Sequence, residues 1–378
     1  MRYQIKILIY AIIRIIYRIF WLHPLKDKIV LCSYGGRGYS DNPQHVADAI
    51  KRERPSIDIC CVVLDINIEV PKYVRKIKKN SVGELLEYAT ARIIINNTRF
   101  PLYLAKRKGQ MFVETWHGCF PLKKIGYAME DITPLGKALV KHDSDITDIF
   151  LSGSKYLTNI IKRDFKYNGT ILEKGVPRLD VLFDTSNIDC LYEQLNIKRN
   201  CKILIYAPTF RDNGRTDVYD IDFERLKNAL EERYGGEWVI LVRFHPNIAE
   251  YADSLQYSSW LINATVITDI YDIMKITDIM ITDYSSIGQE FSYYLKRPVL
   301  LYAKDMDEFQ NDRGMYYKIQ DLPYPIAENN DQLISLVKTY SFSKDNADLN
   351  AFFNEAGFVG NGNTSKEVAE YIISYLQI

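Results

Sequence analysis

At 378 residues, with 47% hydrophobic and 25% charged side chains, the chain has the makeup of a globular protein with core enough for two domains. Lys plus Arg and Asp plus Glu are equal at 48 each, which excludes the global basic field of a nucleic-acid binder. The six cysteines include the adjacent pair Cys60–Cys61 and show no CxxC spacing, which argues against a zinc site or a disulfide framework and suits reduced core thiols.

The charge balance breaks at the start of the chain, where six basic residues and one acid fall between Met1 and Lys28. Residues 3–22 are very apolar, yet Arg2, Lys6, Arg14 and Arg18, with Tyr10 between, recur at multiples of four. On a helix they share one slowly drifting face, with Ile, Leu and Phe opposite. Two arginines in mid-span make a spanning helix costly, and no small-residue cleavage site follows. Residues 2–22 therefore read as a helix lying in a membrane interface, cations toward anionic headgroups and Trp21 at the rim. A helix docked on the protein's own body is the alternative.

Ile29–Tyr34 reads as a buried strand running into Gly35-Gly36-Arg37-Gly38 and then a helical pattern from His45 to Lys51. The spacing Gly36, Gly38, Asp41 lacks the third glycine of the dinucleotide fingerprint, so a nicotinamide cofactor is not supported. Asp58–Leu64, Ala91–Asn96 and Gln110–Thr115 read as strands and Ser81–Tyr88 as a helix. The last of these strands ends in Trp116-His117-Gly118-Cys119-Phe120-Pro121-Leu122-Lys123-Lys124. Open α/β sheets bind ligands beyond the carboxyl ends of their strands. A histidine placed there, followed by a glycine and two lysines, points to chemistry: His117 as proton acceptor, with Gly118, Lys123 and Lys124 as acceptor or phosphate contacts. Strands at Asp148–Ser152, with the polar exit Ser152-Gly153-Ser154, and Gly169–Glu173 complete a doubly wound first half. Residues 184–200 hold a short helix in polar surroundings and read as a linker.

The pattern then restarts. A strand at Lys202–Tyr206 ends in Thr209 and Arg211, a polar loop covers 213–221, and Phe223–Tyr234 is helical. A strand at Trp238–Val242 ends in Arg243 and His245. Ile270–Ile276 is helical, and Asp278–Ile281 feeds Thr282-Asp283-Tyr284-Ser285-Ser286 ahead of a helix at Phe291–Leu295. Ser286 and Gln289 are spaced as a capping box. Val299–Tyr302 is a strand, and Asn329–Tyr340 and Ser365–Leu376 are helices. Hydroxyls, guanidinium groups and a helix N-terminus gathered at strand ends suit a pyrophosphate, which makes Thr209, Arg211, Arg243, Asp283, Ser285 and Ser286 donor-binding candidates. The Asp-x-Asp pairs at Asp143, Asp220 and Asp305 are expected by chance among so many acids. No GxxxxGK[ST], HExxH or GxSxG is present, so no metal or other cofactor is expected beyond Mg²⁺ accompanying donor phosphates.

The run TWHGCFPLKKIG, with YGGRGYSDNP before it and GVPRLD, YAPTFRD, RFHP, TDYSSIGQEF and LKRPVLLY after it, resembles the CDP-glycerol glycerophosphotransferase family, which builds teichoic acids and related poly(alditol phosphate) capsules. The resemblance covers roughly residues 29–310, in the family's order. It implies an α/β fold of GT-B architecture, two Rossmann-like domains facing a central cleft. Residues 1–24 would be the amphipathic helix, 25–185 the acceptor domain, 200–345 the CDP-alditol donor domain, and 346–378 a helical segment returning to the first domain. It implies transfer of glycerol phosphate or ribitol phosphate from CDP-glycerol or CDP-ribitol to a lipid-linked saccharide or polymer at the cytoplasmic face of the membrane, with release of CMP. The family's two histidines map onto His117 and His245, and its donor-binding positions onto Arg178, Thr209, Arg211, Ser285, Ser286 and Glu290. Many members read WHGTPLKK where this chain reads WHGCFPLKK, one residue longer. Rival readings are a GT-B glycosyltransferase using a nucleotide sugar, and an inactive membrane-associated binding module.

Overall fold

The computed structural model describes residues 2–211, 214–244, 248–342 and 346–376, so His245 lies outside the described residues. The chain divides into two compact units. The first takes residues up to Cys119, Ile125–Asp180 and Gly357 onward, and the second takes Phe120–Lys124 and Val181–Ala356. The first boundary thus falls after Asp180, and five residues of the WHGCFPLKK run group with the second unit.

Among the described residues the first unit carries a seven-stranded sheet of β1 (Lys26–Cys32), β2 (Asp58–Val63), β3 (Val74–Lys78), β4 (Ala91–Asn96), β5 (Met111–Glu114), β6 (Ile149–Ser152) and β7 (Thr170–Glu173). All neighbours pair in parallel in the order β3-β2-β1-β4-β5-β6-β7. Strands buried on both faces need unbroken apolar runs, which IVLC and III provide. One face holds Ile29, Leu31, Ile93 and Ile95 under helices Asp41–Glu53 and Thr364–Leu376, which lie against each other. The other holds Val30, Val62, Ile94 and Phe112 under helix Val82–Thr90 and the N-terminal helix. Three elements of this unit were not legible. The edge strand β3 reads VRKIK, its alternation hidden by cations. Helix Pro134–Ile146 is capped by Thr133, and helix Lys155–Asp164 is capped by Ser154, so the polar exit after β6 is a helix start.

Among the described residues the second unit has six parallel strands, β8 (Lys202–Tyr206), β9 (Trp238–Val242), β10 (Leu261–Asn263), β11 (Ile279–Thr282), β12 (Val299–Tyr302) and β13 (Ile326–Ala327), in the order β10-β9-β8-β11-β12-β13. Leu226 and Leu230 of helix Phe223–Tyr234 and Leu333 and Val337 of helix Asn330–Thr339 belong to a core with Leu204, Ile240 and Ile281. The segment read as a polar loop buries Val218 and Tyr219 in that core. In each sheet the strand order reverses once, between β1 and β4 and between β8 and β11. Such reversals open a crevice at the carboxyl ends of the strands, where α/β proteins bind their ligands.

Helix Arg2–Ile19 docks on the first unit through Tyr10, Ile13, Arg14 and Tyr17, so part of the side expected to face headgroups is taken by the protein, while Arg18 stays exposed. Tyr17 is fully buried and its hydroxyl donates to the Ala105 carbonyl at 3.2 Å, and Arg14 donates to the Leu102 carbonyl. Those carbonyls lie outside any strand and need donors, which the Arg and Tyr side of the helix supplies. Trp21 packs edge-on against Tyr17 at 5.9 Å within the same cluster, instead of standing at a rim. The outward side is apolar: Ile9, Ile12, Ile15, Ile16, Ile19 and Leu22 are exposed. No helix of the described residues is long and apolar enough to cross a membrane.

Candidate functional site

At the reversal of the first sheet, Tyr34 leaves β1, Asn97 leaves β4 and Trp116-His117 leave β5. The imidazole Nδ1 of His117 lies 2.6 Å from the backbone oxygen of Asn97. A carbonyl accepts only, so Nδ1 carries the hydrogen, and in the neutral ring Nε2 carries the lone pair. The ring stacks on Trp116 at 4.3 Å between centroids, with Tyr34 5.8 Å away. Next, Gly118 leads into Cys119, which is fully buried and whose carbonyl accepts the Ser154 hydroxyl at 2.5 Å. Gly153 makes room for this: a Cβ there would come within 2.7 Å of the Cys119 Cβ.

This turn is strained and heavily tied. Tyr34, Asp41 and Trp116 all hold left-handed φ, at 45°, 59° and 52°. Asn97 Oδ1 accepts the Tyr34 N–H at 2.8 Å, and the Tyr34 hydroxyl donates to Asp41 Oδ2 at 2.5 Å. Arg178, buried in this unit, donates to the same oxygen at 2.6 Å. Burial alone would raise the Asp41 carboxyl, but Arg178, Tyr34 and its own turn bring it down to about 2. Asn42, fully buried, donates from Nδ2 to the Trp116 carbonyl at 2.8 Å and accepts the Arg178 N–H at 3.0 Å. Beneath the turn Glu114 accepts the Trp116 N–H at 2.9 Å, and burial pushes its carboxyl well above the usual range.

At the reversal of the second sheet Asp283 bridges β8 and β11. Its Oδ1 accepts the N–H groups of Thr209 at 2.8 Å and Tyr284 at 2.6 Å, and Arg211 reaches its Oδ2 at 3.0 Å. Arg211 also makes a two-point pair with Asp305, at 2.7 and 2.9 Å, and lies 4.7 Å from the Tyr284 ring. Tyr284 stacks on Phe309 at 3.9 Å and donates its hydroxyl to Asp305 at 2.7 Å. Lys123 stands 4.9 Å over Phe309, and the Lys124 N–H bonds the Gly314 carbonyl at 3.1 Å. Both lysines of the WHGCFPLKK run therefore belong with this cluster, while His117 and Gly118 belong to the first unit.

Ser285 and Ser286 are half-buried at the start of helix Ile287–Leu295, which begins earlier than Phe291. The capping box between Ser286 and Gln289 does not form. Ser286 has helical backbone angles, φ −70° and ψ −8°, and a side-chain cap needs an extended residue. Among the described residues its hydroxyl caps nothing, and the only bond from the first turn to Ser285 Oγ is a long one from the Ile287 N–H, 3.5 Å. The terminus keeps donors for an anion. Thr209 adds a buried Oγ1 with no hydrogen-bond partner among the described residues.

Other expected site residues are engaged elsewhere. Arg243 donates to the carbonyls of Ala264, at 3.2 Å, Ile267 and Thr268, at 2.9 Å, clamping the turn after β10. Glu290 is fully buried and accepts the Tyr271 hydroxyl. Of the Asp-x-Asp acids, Asp143 pairs with Arg99, Asp220 with Lys304 and Asp305 with Arg211. Among the described residues no group of three His, Cys, Asp or Glu side chains is placed to hold a metal ion. Sequence reasoning missed Asn42, Asn97 and Asp305. The YSDNP run was the available signal for the first, and the discounted acid pair for the last.

A family model described as CDP-Glycerol:Poly(glycerophosphate) glycerophosphotransferase matches residues 15–374. The chain is 28% identical to a teichoic acid poly(glycerol phosphate) polymerase of Bacillus spizizenii, over 97% of each chain. It is 33% identical to a teichoic acid glycerol-phosphate transferase of Staphylococcus aureus, over 83% of this chain and 84% of that one. It spans about half the length of two other polymerases that it matches, from Staphylococcus epidermidis and Bacillus subtilis. Among solved structures, a variant of the wall teichoic acid polymerase TagF soaked with CDPG superposes with a TM-score of 0.84 at 27% identity, covering 99% of this chain and 96% of that one.

Proposed function

The chain belongs to the CDP-glycerol:poly(glycerophosphate) glycerophosphotransferase family, and on that premise we propose that it transfers glycerol phosphate or ribitol phosphate from a CDP-alditol to a hydroxyl of a lipid-linked saccharide or poly(alditol phosphate). The observation that carries this reading is the His117 imidazole, held through Nδ1 on a backbone carbonyl at the carboxyl end of β5. Nε2 takes the proton of the acceptor hydroxyl as that oxygen attacks the alditol-bearing phosphorus. The bond from that phosphorus to the bridging oxygen breaks, and CMP leaves with the electron pair. The donor's diphosphate lies on the Ser285–Ser286 helix terminus, with Thr209 and Lys123 contributing. His245, assigned from its motif alone, bonds the phosphate or the departing CMP. Arg211, with two carboxylates on its guanidinium, serves to shape this turn.

The test is incubation of the purified protein with CDP-glycerol and, separately, CDP-ribitol, plus membrane lipid extract, scoring CMP release against UDP- and GDP-sugar controls. CMP from one CDP-alditol is expected. Release of UDP or GDP alone would place the chemistry at carbon.

The acceptor's lipid anchor gives the N-terminal helix its role at the cytoplasmic face of the membrane. Exposed isoleucines along one side, with Arg18 beside them, suit a helix resting on a lipid surface. Ile15→Glu with Ile19→Glu should shift the protein off anionic vesicles while CMP release with a soluble acceptor analogue persists. Undiminished vesicle binding would remove the lipid contact.

A further inference from the structure

Asn42 lies outside the transfer chemistry, yet it is the buried side chain that ties the Trp116 turn to the segment carrying Arg178. It donates to the carbonyl of Trp116, the residue before His117, and accepts the N–H of Arg178. Its neighbour Asp41 binds the Arg178 guanidinium and the Tyr34 hydroxyl. Tyr34 in turn is held by Asn97, the residue whose carbonyl receives His117 Nδ1. A non-glycine residue in left-handed geometry is disfavoured and persists only where its surroundings over-determine it. Here three such residues meet in one closed circuit of hydrogen bonds.

We propose that Asn42, with the Asp41–Arg178 pair and the Tyr34 hydroxyl, is the positioning brace that fixes the Trp116 turn and so aims His117 Nε2 at the acceptor hydroxyl. Arg178 then acts through Asp41 and the His117 turn. The inference rests on His117 being the base. The brace acts by direction: with the Trp116 carbonyl released, the peptide rotates and the imidazole leaves the Asn97 carbonyl. A displacement of 1 Å in a reacting group costs about 100-fold in rate.

The test compares Asn42→Asp, which keeps shape and the acceptor toward Arg178 but loses the donor toward Trp116, with His117→Ala and the double variant. CMP release is measured from CDP-glycerol with lipid extract. Asn42→Asp should lower kcat by about 100-fold with KM for CDP-glycerol unchanged, and the double variant should be no slower than His117→Ala. In ¹⁵N-histidine spectra the wild-type His117 signal should be the Nδ1–H tautomer, and Asn42→Asp should shift it toward Nε2–H. Folded Asn42→Asp with unchanged kcat, or a loss that adds to that of His117→Ala, overturns the brace. Full activity of His117→Ala alone overturns the assignment of the base instead. Should Asn42→Asp not fold, Tyr34→Phe removes one hydrogen bond of the same circuit. It is read by the same spectra and kcat, and no change in either overturns the proposal.

Discussion

At the crossover of the first sheet the chain holds Tyr34, Asp41 and Trp116 in left-handed geometry, whereas none of the described residues flanking the β8–β11 crossover, Thr209–Arg211 and Asp283–Ser286, has positive φ. The first turn spends buried hydrogen bonds on the direction of one imidazole. The second spends a buried ion network, Arg211 with Asp283 and Asp305, on the shape of a loop, and leaves the start of helix Ile287–Leu295 with its hydroxyls uncommitted to capping. On the proposed reading a base must point one way, which fits a support that is over-determined. On the same reading a diphosphate needs several donors and tolerates small shifts, which fits an open helix start.

The sharpest break of this contrast is His117→Ala. Losing a general base costs about two to four powers of ten in kcat, and the donor's affinity should hold because the proposed cradle belongs to the second unit. CMP release and CDP-glycerol binding by calorimetry measure the two separately. Normal turnover would end the assignment of the base.

The second unit should fail in the opposite manner. Asp305→Asn leaves a buried guanidinium under-paired, and breaking one side of a buried ion pair costs about 3–5 kcal/mol, read as a lower urea midpoint. Ser285→Ala with Ser286→Ala should leave that midpoint near the wild type. It should weaken CDP-glycerol by about one to two powers of ten, since hydrogen bonds to charged groups are worth roughly 1.5–3 kcal/mol. Affinity untouched by the double serine change would take the phosphate off this helix.

What the sequence made legible follows the same division. Strand ends could be read because parallel strands are apolar throughout and stop abruptly, as WVILV does before Arg243 and IMIT before Asp283. His117, Ser285 and Ser286 were picked out as candidates by that route. The supports could not be found, because their partners are remote: Asn42 and Trp116 are 74 residues apart, Arg211 and Asp305 are 94. Asn42 reads locally as an ordinary helix-start residue, and Asp305 as a chance acid. Spacing suggested a Ser286–Gln289 box, but spacing carries no φ, and the helical Ser286 cannot cap. The N-terminal helix was read by periodicity, which separates the Arg–Tyr side from the Ile side without saying which one the protein takes.

The mildest test works on the two carboxyls of the first turn, which pull stability in opposite directions with pH. Asp41 has a folded value of about 2, below its ordinary 3.8. Its contribution, on the order of 2 kcal/mol, is therefore whole above about pH 4 and is lost as pH falls through about 2. Glu114 is raised by burial, so the fold holds its proton while the unfolded chain releases it. Its contribution is whole below about pH 4 and declines as pH rises. Asp41→Asn should lower the urea midpoint at pH 6 and converge with the wild type near pH 2. Glu114→Gln keeps the acceptor for the Trp116 N–H and carries no charge to bury, so it should raise the midpoint at pH 7 and change nothing at pH 3. Parallel shifts of both variants at every pH would mean that neither carboxyl is held as the turn requires, and the strain at Trp116 would need another restraint.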